Sequence, residues 1–136
     1  MPTLPNRCHD TVHRTPEQVR EDIVLYFLLQ FWMNKFAYLN ISRLHRIWGS
    51  FLHELEFECC VEVEGFNYDS TIHRFEALDV AIRGLMTVHL VSLDGNGNLN
   101  LNFTPQIIAQ AKCILAPSVE WEAVESLFPM VLRSYV

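Results

Sequence analysis

Apolar and polar positions follow different periods along the chain, and the most apolar segment lies near its beginning. Ten of the eleven residues in 23–33 are apolar. Wound as a helix, this segment is apolar on every face, which is typical of a helix in a core or at an interface. Thr15, Pro16 and Gln18 precede it as a capping box with proline at the first helical position. The pattern predicts a first helix that ends near residue 35.

Two further segments repeat apolar residues at steps of three and four, and each predicts a helix with one apolar face. One begins after a capping Asn40 and extends over 41–55. The other has Ser70 or Thr71 as its cap and ends near Gly84. Its inward residues would be Ile72, Phe75, Leu78, Ala81, Ile82 and Leu85.

Residues with a period of two predict strands in two places. In 57–64, apolar residues or cysteines alternate with glutamates, which indicates a half-buried edge strand, followed by a turn at 65–69. Over about 87–103, two short alternating runs flank an Asp/Asn/Gly turn at 94–98, which predicts a β-hairpin.

Two helices are expected after the hairpin. Thr104 and Pro105 repeat the arrangement of a cap followed by proline, and they open a predicted helix that ends near residue 115. Ser118 would cap a last helix over 119–133, which Pro129 would kink or shorten. Together these elements predict an α+β fold that is mostly helical.

Length and composition indicate a single domain over 15–136, preceded by a flexible arm at 1–14. The chain has 136 residues, of which 50% are hydrophobic and 19% are charged. The charged fraction is below that of an average globular protein, so little polar surface is available to cover a monomer. This composition favours a protein partner or a homodimer.

Net charge and cysteine content further limit which functional classes and cellular compartments the sequence fits. The net charge of −6 disfavours binding to nucleic acid through its phosphates. The four cysteines, which include the adjacent Cys59 and Cys60, form no regular disulfide framework, so reduced thiols in the cytoplasm are expected. The sequence shows neither the apolar core of a signal peptide nor an apolar run long enough for a membrane span.

Candidate chemistry is sparse. Cys8, His9 and His13 are close together but lack a second pair of zinc ligands. The hairpin turn aligns with part of a calcium-binding loop, but Ser92 and Phe103 stand where that loop needs its acidic ligands. The sequence predicts no catalytic residue, metal, cofactor or small-molecule substrate. An enzyme that uses a cysteine or histidine remains a residual alternative.

The predicted order of elements is that of a winged-helix unit, in which the helix before the hairpin can enter a major groove and the hairpin is the wing. That helix carries Thr71, His73, Arg74 and Arg83, but its acidic residues balance them. The wing tip has no lysine or arginine. The predicted element order is therefore compatible with DNA binding, but the charge of the predicted contact surface disfavours it.

Four sequence features resemble small bacterial winged-helix proteins, which include Panacea-like antitoxins and middle components of three-component ATPase-linked defence systems. These features are Leu44-His45-Arg46-Ile47-Trp48, Phe66-Asn67-Tyr68-Asp69-Ser70, Ile82-Arg83-Gly84-Leu85 and Thr104-Pro105. The resemblance covers about 41–115, and Tyr68-Asp69-Ser70 replaces the Gly-Pro-Tyr/Phe-Ser element common in those proteins. It implies a non-enzymatic accessory or adaptor protein, with the first helix added to a winged-helix core.

Two functional hypotheses follow. The first is a cytoplasmic interaction subunit whose first helix docks a partner, because buried aromatic residues often dominate the binding energy of an interface. The predicted interface residues are Tyr26, Phe27, Phe31, Trp32, Phe36 and Tyr38. The alternative is a sequence-specific DNA-binding regulator, in which Arg7 and Arg14 of the arm would assist. Its predicted contacts are Arg43, Arg46, Thr71, His73 and Arg74.

Overall fold

Five helices and two small antiparallel sheets form the part of the chain that the computed structural model describes, which comprises residues 15–61, 63–114 and 119–136. The protein is therefore of the α+β class, as expected. The helices are α1 (Pro16–Met33), α2 (Ile41–Cys59), α3 (Glu76–Thr87), α4 (Pro105–Ile114) and α5 (Val119–Tyr135). The strands are β1 (Tyr38–Asn40), β2 (Tyr68–Asp69), β3 (Arg74–Phe75), β4 (Val91–Leu93) and β5 (Asn98–Leu101). The predicted arm at 1–14 lies outside the described residues.

Helix α1 forms the centre of the core. Its predicted cap is confirmed, because the Thr15 hydroxyl accepts a hydrogen bond from the Gln18 amide and the Gln18 side chain accepts one from the Thr15 amide. Every residue from 22 to 31 is buried. Helices α3 and α5 both pack against α1, and α5 also packs against α2. The all-apolar pattern thus corresponds to a helix enclosed by the chain's own elements.

The larger sheet has the strand order β1-β5-β4. The predicted hairpin is confirmed as β4 and β5, which pair Val91 with Leu101 and Leu93 with Leu99. In the turn, the Asp94 carboxylate accepts hydrogen bonds from the backbone of Asn96 and Asn98, at 2.8 and 3.0 Å. Strand β1, which the pattern did not predict, pairs with β5 and leads directly into α2.

The predicted strand at 57–64 is wrong, because α2 continues to Cys59. Cys60 then adopts a left-handed backbone conformation (φ 55°), and its N–H donates to the Leu55 carbonyl. Phe57, an expected inward residue, is 72% exposed. Glutamate and leucine propagate a helix well, so this acidic segment extends α2 instead of starting a strand.

The third helix begins later than predicted. α3 starts at Glu76, and neither Ser70 nor Thr71 caps it. Strands β2 and β3 precede it and form a short hairpin over residues 68–75, called the β2–β3 hairpin below. The Asp69 carboxylate accepts a hydrogen bond from the Thr71 amide at 2.9 Å, and such a turn competes with helix formation. Ile72, predicted to face inward, is 53% exposed.

The C-terminal helices follow the prediction closely. The Thr104 hydroxyl accepts a hydrogen bond from the Ile107 amide at the start of α4. Helix α5 begins at the expected Val119 and continues through Pro129 to Tyr135, so the proline does not shorten it. The predicted end of the helix near residue 115 and the predicted cap at Ser118 lie outside the described residues.

Candidate functional site

A buried histidine connects three elements at one side of the molecule. His45 on α2 is 3% exposed, and its Nε2 lies 3.0 Å from the Asp79 carboxylate on α3. Its Nδ1 accepts a hydrogen bond from the backbone N–H of Phe75, also at 3.0 Å. The His45 ring thus ties α2 to the start of α3 and to the end of the β2–β3 hairpin.

These contacts define the protonation state of His45. Because Nδ1 accepts a hydrogen bond from a backbone N–H, it carries no proton, so Nε2–H must donate to Asp79. Burial lowers the pKa of His45 below its ordinary value of 6.5, although the bond to Asp79 opposes that shift. The imidazole is therefore neutral near pH 7.

Arg74 completes the cluster. Its Nε and Nη2 atoms each donate to one oxygen of Asp79, both at 3.0 Å. Burial alone would raise the pKa of Asp79, but the hydrogen bonds from Arg74 and His45 hold it below its ordinary value. The bond to Asp79 likewise raises the pKa of Arg74. Asp79 therefore remains a carboxylate that neutralises one arginine.

A groove of about 670 Å³ lies over this cluster, between α2 and the β2–β3 hairpin, and is called the α2–hairpin groove below. Gly49 forms part of its floor, where an added Cβ would lie 3.3 Å from the Phe75 ring. The groove is lined by Ser42, His45, Arg46, Gly49, Ser50, Tyr68, Ile72, His73, Arg74 and Phe75.

The rim of the groove on the hairpin side is apolar and aromatic. The Tyr68 hydroxyl and the His73 Nδ1 are 3.0 Å apart, and the Tyr68 ring packs edge-on against Phe75 at 5.2 Å between ring centroids. Tyr68 and Ile72 are nevertheless 51% and 53% exposed. His73 has a positive φ of 54°, which is uncommon for a residue other than glycine. The hairpin is therefore tightly turned and presents apolar side chains to solvent.

Charge in the α2–hairpin groove is opposite in sign to that of the whole chain. The lining residues include two arginines and no acidic residue, whereas the protein carries a net charge of −6. Asp79 compensates Arg74. Arg46 is exposed and forms no ion pair with any residue that the structure describes. The groove thus combines an available cation with an apolar rim.

Neither His45 nor Cys59 is in an environment that favours nucleophilic catalysis. Both ring nitrogens of His45 are already engaged, so the ring has no free position for taking a proton from a nucleophile. Burial raises the pKa of Cys59, which makes its thiol a poorer nucleophile. A cavity of about 140 Å³ at the end of α2 is lined by His53 and Glu56 but by neither cysteine.

A second cavity, of about 420 Å³, lies between α1 and α3. Its charged lining consists of Glu17, Arg20, Glu21 and Glu76, and the Arg20 guanidinium donates to the Glu64 carbonyl at 3.0 Å. Within the described ranges, no group of three histidine, cysteine or acidic residues is arranged to hold a metal ion. We take the α2–hairpin groove as the candidate site, because it joins a cationic residue to exposed apolar side chains.

The residues predicted to contact DNA are only partly brought together. Arg46, His73 and Arg74 line the α2–hairpin groove. Thr71 and His73 lie in the loop between β2 and β3, and Arg74 lies in β3, so the prediction that these residues belong to a reading helix is wrong. Arg43 is turned elsewhere, with its guanidinium 5.7 Å from the centroid of the Tyr135 ring.

The residues predicted to form an interface on α1 separate into core and surface. Tyr26, Phe27 and Phe31 are at most 1% exposed and belong to the chain's own core, so a docking surface on α1 cannot include them. Trp32 and Phe36 are half-buried against the same core. Only Tyr38, at 62%, is largely exposed. An all-apolar helix is compatible with a position in the core or at an interface. Because α3 and α5 cover α1, most of its apolar residues belong to the core.

Sequence reasoning missed Tyr68 and Ile72 as surface residues and His45 as a connecting residue. The turn-forming Asn67 and Asp69 were a signal that a hairpin could replace the start of the predicted helix. No local signal pairs His45 with Asp79, because the two are 34 residues apart in sequence.

Comparisons of the chain with protein-family models, with curated proteins and with solved structures find no match. Throughout the described part of the chain, no helix is both long enough and apolar enough to cross a membrane.

Proposed function

We propose that this chain is a cytoplasmic, non-enzymatic interaction subunit of a protein assembly, built on a winged-helix-like unit. The element order α1-β1-α2-β2-β3-α3-β4-β5 supports the winged-helix part, with β4 and β5 as the wing and the β2–β3 hairpin inserted before α3. In this proposal α1 belongs to the core of the unit, because α3 packs directly against it.

The observation that carries this proposal is the exposure of apolar side chains on an anchored hairpin. Tyr68 and Ile72 are each about half exposed, while Phe75 and His45 attach the same hairpin to the core. Single exposed apolar residues are common on protein surfaces, but an anchored apolar rim beside a groove is typical of a binding site. The hairpin, and not α1, is therefore the proposed contact surface.

A DNA-binding regulator is the second candidate, and the grouping of Arg46, His73 and Arg74 in one groove favours it. Three facts weigh against it: the net charge of −6, the neutralisation of Arg74 by Asp79, and the exposed Glu76 and Val80 on α3. If the chain binds DNA, the affinity should fall steeply with added salt and with Arg46→Ala.

Site-specific photo-crosslinking in the source cell tests the proposal. Ile72 is replaced by a photoreactive benzoyl-phenylalanine, and the matched control carries the same replacement at Glu125, an exposed residue of α5. We expect a discrete protein adduct from position 72 and none from position 125. Equal adducts at both positions, or none at either, would contradict the proposal. A nuclease-sensitive adduct from position 72 would support the DNA-binding candidate.

A further inference from the structure

We infer that the α2–hairpin groove binds an acidic peptide segment of a partner protein, with a carboxylate at Arg46 and an adjoining apolar side chain against Tyr68 and Ile72. This inference rests on the proposed function and specifies the chemistry of the partner. It is carried by the placement of one available cation beside exposed apolar side chains in a groove without acidic lining residues.

The positive charge of the groove favours a negatively charged ligand. Elsewhere the chain is predominantly acidic, so an anionic segment would be repelled from most of its surface and attracted to this groove. A guanidinium can bind a carboxylate through two parallel hydrogen bonds, and Arg46 has no ion-pair partner in the described part of the chain. His73, on the opposite wall, adds a polar group that can bind a second acceptor.

The apolar rim of the groove favours a peptide in which an apolar residue lies next to that carboxylate. Tyr68 and Ile72 are the two exposed apolar side chains among the lining residues of the groove. The hydroxyls of Ser42 and Ser50, on the α2 wall, can accept or donate hydrogen bonds to a peptide backbone. A segment in which acidic and apolar residues alternate would satisfy both walls.

The number of cations favours a peptide over nucleic acid. A DNA-binding surface usually neutralises several phosphates, whereas Asp79 already neutralises Arg74, so Arg46 is the uncompensated arginine of this groove. One carboxylate and one apolar side chain match this small set of groups better than a phosphate backbone does.

A second copy of the chain also carries an acidic segment with an exposed apolar residue, so the test must distinguish it from a partner protein. Phe57 is 72% exposed near the end of α2, between the exposed Glu56 and Glu58. If this segment of another copy entered the groove, the contact would be head-to-tail and would generate rings or filaments. The partner's segment is the proposed occupant, and self-association is an outcome that the test separates.

The test measures the fluorescence anisotropy of labelled peptides in which glutamate alternates with leucine, phenylalanine or tyrosine. The control peptides carry glutamine in place of glutamate, and labelled duplex DNA is a separate probe. Arg46→Glu should weaken binding of the acidic peptides by about tenfold or more, since it replaces an attraction with a repulsion. The matched control Arg133→Glu makes the same charge change on the exposed side of α5 and should leave affinity within about twofold.

A second pair of variants tests the apolar rim. Ile72→Ser should weaken binding by about fivefold to tenfold through the loss of apolar contact. Val119→Ser removes a similar side chain that is 66% exposed on α5, and it should have no effect. Circular dichroism of all four variants should match the wild type, because each replaced residue is exposed.

Each contrary result has a definite meaning. Equal affinity for the glutamate and glutamine peptides would overturn the inference, as would binding that Arg46→Glu and Arg133→Glu reduce alike. Preferential binding of duplex DNA that Arg46→Glu abolishes would replace the inference with the DNA-binding candidate. Concentration-dependent association that Phe57→Ser abolishes would identify a second copy as the occupant. Absence of peptide binding, with the crosslink at position 72 retained, would refute the acidic peptide alone and leave the proposed function intact.

Discussion

At the scale of single residues, His45 has a specific role because one of its ring nitrogens accepts a hydrogen bond and the other donates one. Nδ1 accepts from the Phe75 amide, and Nε2 donates to Asp79. Only the neutral imidazole with its proton on Nε2 can do both. The anchoring of the β2–β3 hairpin therefore depends on one tautomer of one side chain.

Replacement of His45 by alanine should lower the free energy of unfolding by about 2–3 kcal/mol, because the buried Phe75 amide would lose its acceptor and Asp79 one of its donors. Urea unfolding followed by circular dichroism measures this loss. His53→Ala, on the exposed side of the same helix, should change stability by no more than about 0.5 kcal/mol. Similar losses for the two variants would refute the anchoring role.

Protonation of His45 should also make stability depend on pH. Its pKa in the folded chain lies below the ordinary value of 6.5, chiefly through burial, so the unfolded chain binds the proton more readily. Stability should be full above about pH 7 and should fall as the pH drops below about 6.5, and the lowered pKa of Asp79 should add a further loss below about pH 4.

His45→Gln is the control for this pH dependence. A glutamine can accept with its oxygen and donate with its nitrogen, but it does not titrate. Unfolding free energies at about pH 7 and about pH 5 should differ less for His45→Gln than for the wild type. An unchanged pH dependence in the variant would assign the effect to other groups.

At the scale of elements, the end of α2 shows that a preceding helix can override a strand-like sequence pattern. Residues 57–64 alternate like a strand, but residues 41–55 already form a helix whose last turns contain Glu54 and Leu55, both good helix formers. Extending an existing helix by one residue adds a hydrogen bond without a new nucleation step. The helix therefore continues until Cys60 adopts the left-handed conformation.

This helix end provides a test with two adjacent residues. Cys60→Gly should stabilise the protein by about 0.5–1 kcal/mol, because glycine adopts a positive φ without steric cost. Cys59→Gly should destabilise it by at least about 1 kcal/mol, because Cys59 is the last helical residue and is partly buried. Thermal or urea unfolding measures both changes. Two destabilising substitutions would indicate that this segment is extended and not the end of a helix.

Element starts that depend on local side chains are predictable from sequence, whereas starts that depend on contacts between distant residues are not. The caps at Thr15 and Asn40 and the turn at 94–98 depend on side chains that bond to their own neighbouring backbone, so a short window of sequence contains the cause. The start of α3 at Glu76 instead depends on contacts between distant residues, since the distant His45 binds the Phe75 amide. The same distinction explains why the sequence identifies Arg46 as a candidate binding residue but does not predict its grouping with Tyr68 and Ile72.

At the scale of the whole molecule, α1 determines which surfaces remain for other contacts. The Phe27 ring lies within 4.8–6.4 Å, between centroids, of four other aromatic rings: Phe31, Trp48, Phe51 and Phe128. These rings belong to α1, α2 and α5, so one side chain of α1 connects three helices. Because its aromatic residues are occupied in this way, α1 holds the fold together and leaves the β2–β3 hairpin as the proposed contact surface.

Phe27→Ala should therefore lower the free energy of unfolding by about 3–5 kcal/mol, because it opens a cavity where these helices meet. Tyr38→Ala removes an aromatic residue that is 62% exposed on β1 and should cost no more than about 1 kcal/mol. Urea unfolding compares the two variants directly. If Phe27→Ala had little effect on folding but abolished the crosslink at position 72, α1 would be an interface helix after all. A large loss of stability for Phe27→Ala, with the crosslink retained in Tyr38→Ala, would identify α1 as the centre of the core and the hairpin as the contact surface.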